Sequence, residues 1–301
     1  MNTEQAGRPV VAGVDGSESA LEAVRWAAQE ADRRRAPLRL VEAFGWMGTT
    51  EYIGNPGLGT DYREVLLQNA RDQVAAAAAA ATRAAPGIVI EQDVVIGYPV
   101  PVLNAEAARA QLVVLGNRGL GGFTGLLVGS VAVALAAHAS CPVVVVRGAT
   151  QDAPPPLEGP VVVGIDGSPI SEAALAFAFE AAALRRVPLV AVHTWRDLLV
   201  DPVMAPLMDW DAIETDEHKL LAERLAGWSG TYPDVPVQRV VTRDRPASAL
   251  IEQSGHAQLV VVGSRGRGGF TGLLLGSVSH ALLHHAKCPV AVVRPDTAGK
   301  S

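Results

Sequence analysis

Two rhythms alternate along the chain. Short runs of valine, leucine and isoleucine without polar interruption are followed by longer segments whose apolar residues recur every three or four positions. The first run ends at Asp15, and Ser17 or Ser19 is placed to cap a helix reaching about Arg34. Along it, Ala20, Val24, Ala27, Ala28 and Ala31 fall on one face. The pattern then predicts a strand over 38–44, an irregular glycine-rich stretch over 45–60 and an alanine-rich helix over 61–84. A strand over 89–96, a helix over about 100–109, a strand over 112–115, a helix from Ser130 and a strand over 143–147 follow. The second half predicts strands over 161–166, 189–195, 237–242, 259–263 and 290–294. Apolar runs without polar alternation belong to strands covered on both faces. Strands that alternate with helices therefore imply a parallel, doubly wound α/β sheet in each half, with right-handed crossovers.

The two halves are copies. Residues 112–130 read LVVLGNRGLGGFTGLLVGS and residues 259–277 read LVVVGSRGRGGFTGLLLGS, agreeing at 15 of 19 positions. Other blocks keep the same order: PVVAGVDGS from Pro9 and PVVVGIDGS from Pro160, then HASCPV from His138 and HAKCPV from His285. The expected organisation is one domain over 1–147, a proline-rich spacer over 148–159 and a second domain over 160–295, with a tail over 296–301. Three consecutive prolines make the spacer stiff and extended.

Composition narrows the function classes. The 301 residues are 49% hydrophobic, 19% charged and 5% aromatic, a globular profile with an aliphatic core. A net charge of −6 gives no electrostatic reason to expect nucleic acid as a partner. The N-terminus has no signal-peptide pattern, and the apolar run over 131–146 is broken by His138, Ser140 and Pro142, so a soluble, cytoplasmic protein without a membrane span is expected. Cys141 and Cys288, at equivalent places, read as packing residues in a reducing compartment.

The repeated motif is Gly-x2-Gly-x9-Gly-Ser, with Gly116, Gly119, Gly129 and Ser130 in one half and Gly263, Gly266, Gly276 and Ser277 in the other. It joins a buried strand to a helix start. The first two glycines of each copy are expected to permit positive φ and a close backbone approach to an anion. The last glycine and the serine open a helix, where unpaired N–H groups and the dipole favour phosphate. Arg118 and Arg265 add a charge-assisted donor. Ligands of open parallel sheets sit beyond the carboxyl ends of the strands, where strand order reverses. Asp15 and Asp166, ending the first strands, then face the loops and suit ribose hydroxyls; their structural alternative is a turn bond or helix cap, since Asp-Gly-Ser is good turn chemistry. No Gly-x4-Gly-Lys-Ser/Thr occurs, which rules out a P-loop ATPase.

With these motifs together the chain resembles the universal stress protein family, and within it the tandem-domain, ATP-binding branch of actinobacteria. The resemblance implies a five-stranded, Rossmann-like sheet of order 3-2-1-4-5 in each half (the adenine nucleotide α-hydrolase-like arrangement), ATP between the first and fourth strands, and pairing of domains through their last strands in a homodimer. Carried over by position, Asp15 and Asp166 hold ribose and Val41 and Val192 contact adenine, with Gly13 and Gly164 beside them. Gly116, Arg118, Gly119, Gly129, Ser130 and Val131 line one phosphate site; Gly263, Arg265, Gly266, Gly276, Ser277 and Val278 line the other. The copies differ at Asn117/Ser264, Leu120/Arg267 and Glu42/His193.

Other residues carry less. His280 and His284 lie four apart, but no carboxylate or cysteine is spaced to complete a metal site with them or with His285. Trp46, Trp195, Trp210 and Trp228 suit packing better than base stacking. No catalytic base is duplicated near the loops, which favours holding ATP over consuming it. The expected function is an ATP-responsive regulator of growth or stress survival with an unnamed protein partner. Whether Mg2+ joins the phosphates stays open. The alternatives are a slow ATPase or a phosphoryl or adenylyl transferase, and an interaction module working through the irregular segments 45–60 and 198–216.

Overall fold

The computed structural model describes residues 7–45, 56–120, 128–147, 159–195, 209–266 and 274–295, with side chains of the second helix described from Arg63 onward. The chain divides into two compact units, Met1–Thr150 and Gln151–Ser301. The first contains β1 (Val10–Val14), α1 (Glu18–Arg34), β2 (Leu38–Phe44), α2 (Pro56–Ala84), β3 (Ile90–Ile96), α3 (Pro99–Ala107), β4 (Leu112–Gly116), α4 (Ser130–His138) and β5 (Val143–Val146). The second repeats the series as β6 (Val161–Ile165), α5 (Pro169–Arg185), β7 (Leu189–Thr194), α6 (Trp210–Thr231), β8 (Val237–Thr242), α7 (Pro246–Gln253), β9 (Leu259–Gly263), α8 (Ser277–His285) and β10 (Val290–Val293).

Every strand pair within a unit is parallel. The first unit has the order β3-β2-β1-β4-β5, and the pairings of the second give β8-β7-β6-β9-β10. β1 therefore pairs with β2 on one side and β4 on the other, and the chain crosses the sheet in opposite directions after them. That divergence opens a crevice at their carboxyl ends. α1 and α2 contact each other, while α3 contacts α4, so helices pack in two groups. The alanines predicted for the buried face of α1 are all buried with Val24, and β4 and β5 are buried along Leu112–Leu115 and Val143–Val146. Small residues on α1 let its axis lie close to the sheet, which fixes where its N-terminus meets β4. β3 and β8 lie at the ends of their strand orders and carry no buried residue, as edge strands do.

Two segments differ from the sequence reading. Residues 56–60 and 210–216, expected to be irregular, belong to α2 and α6. Asp209 caps α6 by accepting from the Ala212 N–H at 3.0 Å. Residues 148–158 of the spacer, Trp46 and Arg267 lie outside the described residues. Trp195 stacks on Trp210 with ring centroids 6.1 Å apart, and Trp228 stacks on Phe179 at 5.6 Å, both packing roles. Both cysteines are buried, and burial pushes each thiol up to about 12. Among the described residues no helix is long and apolar enough to cross a membrane.

Candidate functional site

The site begins with the turn after the first strand. Asp15 Oδ1 accepts from the Ser17 N–H at 3.0 Å and from the Ser17 hydroxyl at 2.6 Å. Ser17 Oγ in turn accepts from the Ala20 N–H at 3.1 Å and caps α1. Gly16 between them has φ +79°, a conformation that glycine adopts without cost. The second unit repeats the turn: Ser168 donates to Asp166 Oδ1 at 2.9 Å from nitrogen and 2.7 Å from oxygen, Ser168 caps α5, and Gly167 has φ +76°. The turn bond raised from sequence is therefore present. It uses one face of the carboxylate and aims the other toward the glycine loop.

That loop closes over the turn. In the first unit Leu120 N–H donates to Asp15 Oδ2 at 3.1 Å, and the Gly129 N–H donates to Asn117 O at 2.7 Å, drawing the start of α4 back onto the end of β4. In the second, Gly276 N–H donates to Ser264 O at 2.7 Å. The glycines of the loop are required by proximity and not by φ. Gly116 and Gly119, and equally Gly263 and Gly266, are absent from the positive-φ residues, so that expectation is corrected. A Cβ on Gly119 would overlap Asp15 Oδ2, and one on Gly266 would stand 2.5 Å from Asp166 Oδ2. A Cβ on Gly129 would make ordinary van der Waals contact with Asn117 O at 3.7 Å, so the last glycine of the motif is not required by proximity.

A cavity of about 690 Å³ lies at the carboxyl ends of β1, β2 and β4. All nine residues chosen from the first half line it: Gly13, Asp15, Val41, Gly116, Arg118, Gly119, Gly129, Ser130 and Val131. The volume lies in the range of small-molecule sites. Its apolar wall adds Leu103, Leu115 and Val128, which the sequence reading did not single out. In the second unit the same contacts recur. Gly164 lies opposite Val192, and a Cβ there would meet Leu250 at 2.8 Å and Val262 at 3.3 Å, as one on Gly13 would meet Leu115 and Leu103. Asp166, Gly263, Gly266, Gly276 and Ser277 are brought to the same relative places, with Arg265 and Val278 as their chain neighbours.

The profile of the universal stress protein family matches residues 7–147 and again 159–294. The chain belongs to the universal stress protein family. It is 43% identical to universal stress protein Rv2005c of Mycobacterium tuberculosis, over 95% of this chain and 96% of that one, and 42% identical to universal stress protein Rv2623 of the same organism, over 98% and 99%. Among solved structures it is similar to a universal stress protein from Archaeoglobus fulgidus, with TM-score 0.64 at 18% identity over 98% of this chain and 99% of that one, a likeness of fold.

As a tandem universal stress protein, the chain has two sites that share a frame and differ in detail. In the first unit the Ser19 hydroxyl donates to Asn117 Oδ1 at 2.9 Å and accepts from the Arg118 N–H at 3.3 Å. In the second, Ile170 stands against Gly263 and Ser264 is buried. The swap is coupled: a polar pair in one copy is replaced by an apolar contact in the other. At the end of the second strand, Glu42 lines the first cavity, whereas His193 is buried, with Nδ1 2.8 Å from Ile165 O and Nε2 2.8 Å from Glu217 Oε2. Protein atoms thus hold a hydrogen-bonded bridge at this strand end in the second unit, whereas the first opens onto cavity.

Glu42 carries the main electrostatic perturbation of the cavity. Burial, and then the charge of Asp15, lift its carboxyl from the ordinary 4.5 to about 7. The Gln73 amide, oriented to donate, lies 2.9 and 3.2 Å from its oxygens. A carboxyl raised on folding contributes stability that is present below its unfolded value and is lost as pH rises through its folded value. Glu42→Gln should therefore stabilise the protein at pH 8.5 by about 1 kcal/mol, after discounting for its solvent exposure, with the gain shrinking toward zero near pH 5. Urea unfolding at the two pH values measures it; an equal gain at both contradicts the assignment. β2, which carries Glu42, lies two strands from β4 and its glycine loop, about 10 Å between backbones at ordinary strand spacing.

Proposed function

We propose that each unit binds ATP, and that the protein acts as a nucleotide-responsive regulator of growth or stress survival and not as a dedicated catalyst. The observation that carries this reading is the convergence, on one cavity, of all nine residues selected in the first half from the glycine motif and the strand ends. Chemically the cavity has an apolar floor for a base in Gly13, Val41, Leu103 and Leu115. It has a carboxylate with lone pairs to spare for ribose in Asp15, and a cation with a helix start for phosphates in Arg118 and Gly129–Ser130. The pressed contacts at Gly119 and Gly266 support the same reading, because they keep the carboxylate and loop backbone in one place before a ligand arrives. Mg2+ bridging the phosphates belongs to this proposal only as chemistry carried by the nucleotide. So do a homodimeric assembly, a cytoplasmic location and a regulatory protein partner. Mass spectrometry of whatever co-purifies with the native protein tests it: ATP or ADP near two equivalents per chain supports the reading, and a different class of ligand at these sites overturns it.

A further inference from the structure

The two units carry different side chains at the end of the site that lies away from the glycine loop. Strand register pairs the positions. Glu42 lies opposite Val14 and His193 opposite Ile165, each beside the residue that precedes the aspartate. Two residues further along these strands, Phe44 corresponds to Trp195. On the edge side, Ile90 lies opposite Leu38 and Val237 opposite Leu189. Counting back from Ile90 and Val237 without a gap brings Ala70 of α2 onto Glu217 of α6, and Gln73 onto Leu220. Burial agrees with that count: Val74 falls on Leu221 and Ala78 on Leu225, all four buried.

In the first unit Glu42, Phe44, Ala70 and Gln73 all line the cavity. The Glu42 carboxylate is met by the Gln73 amide at 2.9 and 3.2 Å. That contact reaches α2 one turn beyond Ala70, whose methyl leaves the space before it open. In the second unit the strand end meets the helix one turn earlier. Glu217 Oε2 lies 2.8 Å from His193 Nε2, and His193 Nδ1 lies 2.8 Å from Ile165 O. Both ring nitrogens are engaged and the ring is buried, so its orientation is fixed. A glutamate and an imidazole thus span the width that Ala70 leaves open in the other copy. Trp195, larger than Phe44, is buried against Trp210 at the same end. Both enlargements act in one direction, and interiors packed by fixed side chains do not yield to added bulk without cost.

We infer that the His193–Glu217 pair is the specificity determinant of the second site. It closes the β7–α6 end around an unsubstituted base, whereas the first unit, with Ala70 at that place, admits a nucleotide enlarged at the base. The inference rests on nucleotide binding at these sites and adds selectivity to it. One chain then carries a narrow site and a permissive one on the same backbone frame.

Calorimetric affinities of the full-length chain for ATP, N6-benzyl-ATP and 8-bromo-ATP test this; the two analogues are enlarged at different edges of the base. The Asp166→Ala background reports the first site and Asp15→Ala the second. For at least one analogue, the second site should bind about tenfold or more weaker than it binds ATP, and the first less than about threefold weaker. Glu217→Ala should restore the analogue at the second site. The converse exchange, Ala70→Glu with Glu42→His, should impose the exclusion on the first, and it keeps the test decisive should Glu217→Ala fail to fold. Sites that respond alike to both analogues, a first site that is the more exclusive, or discrimination unchanged by these substitutions overturn the assignment. Wild-type protein that does not bind ATP overturns the underlying ATP reading instead.

Discussion

ATP affinity falls about tenfold to a hundredfold in the Asp15→Ala/Asp166→Ala double variant, with the fold retained. The magnitude is that of removing hydrogen bonds to an ionised acceptor, about 1.5–3 kcal/mol per site. At the first site Asp15 also receives the Leu120 N–H, so the substitution there removes a contact that sets the position of the loop carrying Arg118 and Gly119. The cost to folding stays near 1 kcal/mol: Ser17 and Ser168 remain to cap their helices, and the freed N–H groups of the half-exposed turns reach water. Asp15→Asn with Asp166→Asn separates charge from shape, and a variant that keeps wild-type ATP affinity would show that the carboxylates are turn-formers only.

The same substitution in the two copies has unequal consequences. A Cβ at Gly116 would stand 2.5 Å from Ser19 Oγ and 2.6 Å from the Ser19 backbone. The backbone at the start of α1 cannot yield without moving the capped turn and Asp15 with it. At Gly263 the nearest atom is Ile170 Cγ2 at 2.7 Å, a side-chain methyl, and the nearest backbone atom is Arg265 O at 3.1 Å. Gly116→Ala is expected to destabilise by about 3 kcal/mol and to remove binding at the first site, whereas Gly263→Ala costs about 1 kcal/mol and weakens the second site mildly. Urea unfolding of the two single variants compares them directly, and equal costs would contradict the described packing.

Much of this arrangement is legible in the sequence because each signal has a local cause. Asp-Gly-Ser forms its own turn, with Gly16 and Gly167 supplying the positive φ, and unbroken valine runs leave little alternative to buried parallel strands. What escapes is set by neighbours distant in the chain. The need for glycine at 116 and 119 comes from Ser19 and Asp15, about a hundred residues away, and not from the backbone conformation that the motif suggests. Leu103 and Leu115 read as ordinary core residues; they become a cavity wall because Gly13 stands across from them. The start of α2 at Pro56 is hidden in a glycine-rich stretch, although proline at the first turn is a helix signal in its own right. Glu42, the one acidic letter in the apolar strand LRLVEAF, is visible as an oddity, but its lifted pKa comes from burial and from Asp15 one strand over.

His193 and Glu217 make the same point about divergence. A copy of a domain preserves its backbone frame while side chains at the ligand end are free to change in coupled sets. Here Glu42 gives way to a histidine held by Ile165 O and Glu217, and Ser19 with Asn117 gives way to Ile170 with Ser264. The glycine, aspartate and arginine frame is common to both units; the side chains around it are not. Under the proposed ATP reading, that difference predicts two affinities for one nucleotide.

Calorimetric titration of nucleotide-free, full-length protein with ATP tests the central claim most directly. The account predicts two binding events per chain with distinguishable affinities, one of them weakened about tenfold or more by Asp15→Ala and the other by Asp166→Ala. No saturable heat with ATP, or binding that survives both substitutions unchanged, would contradict it.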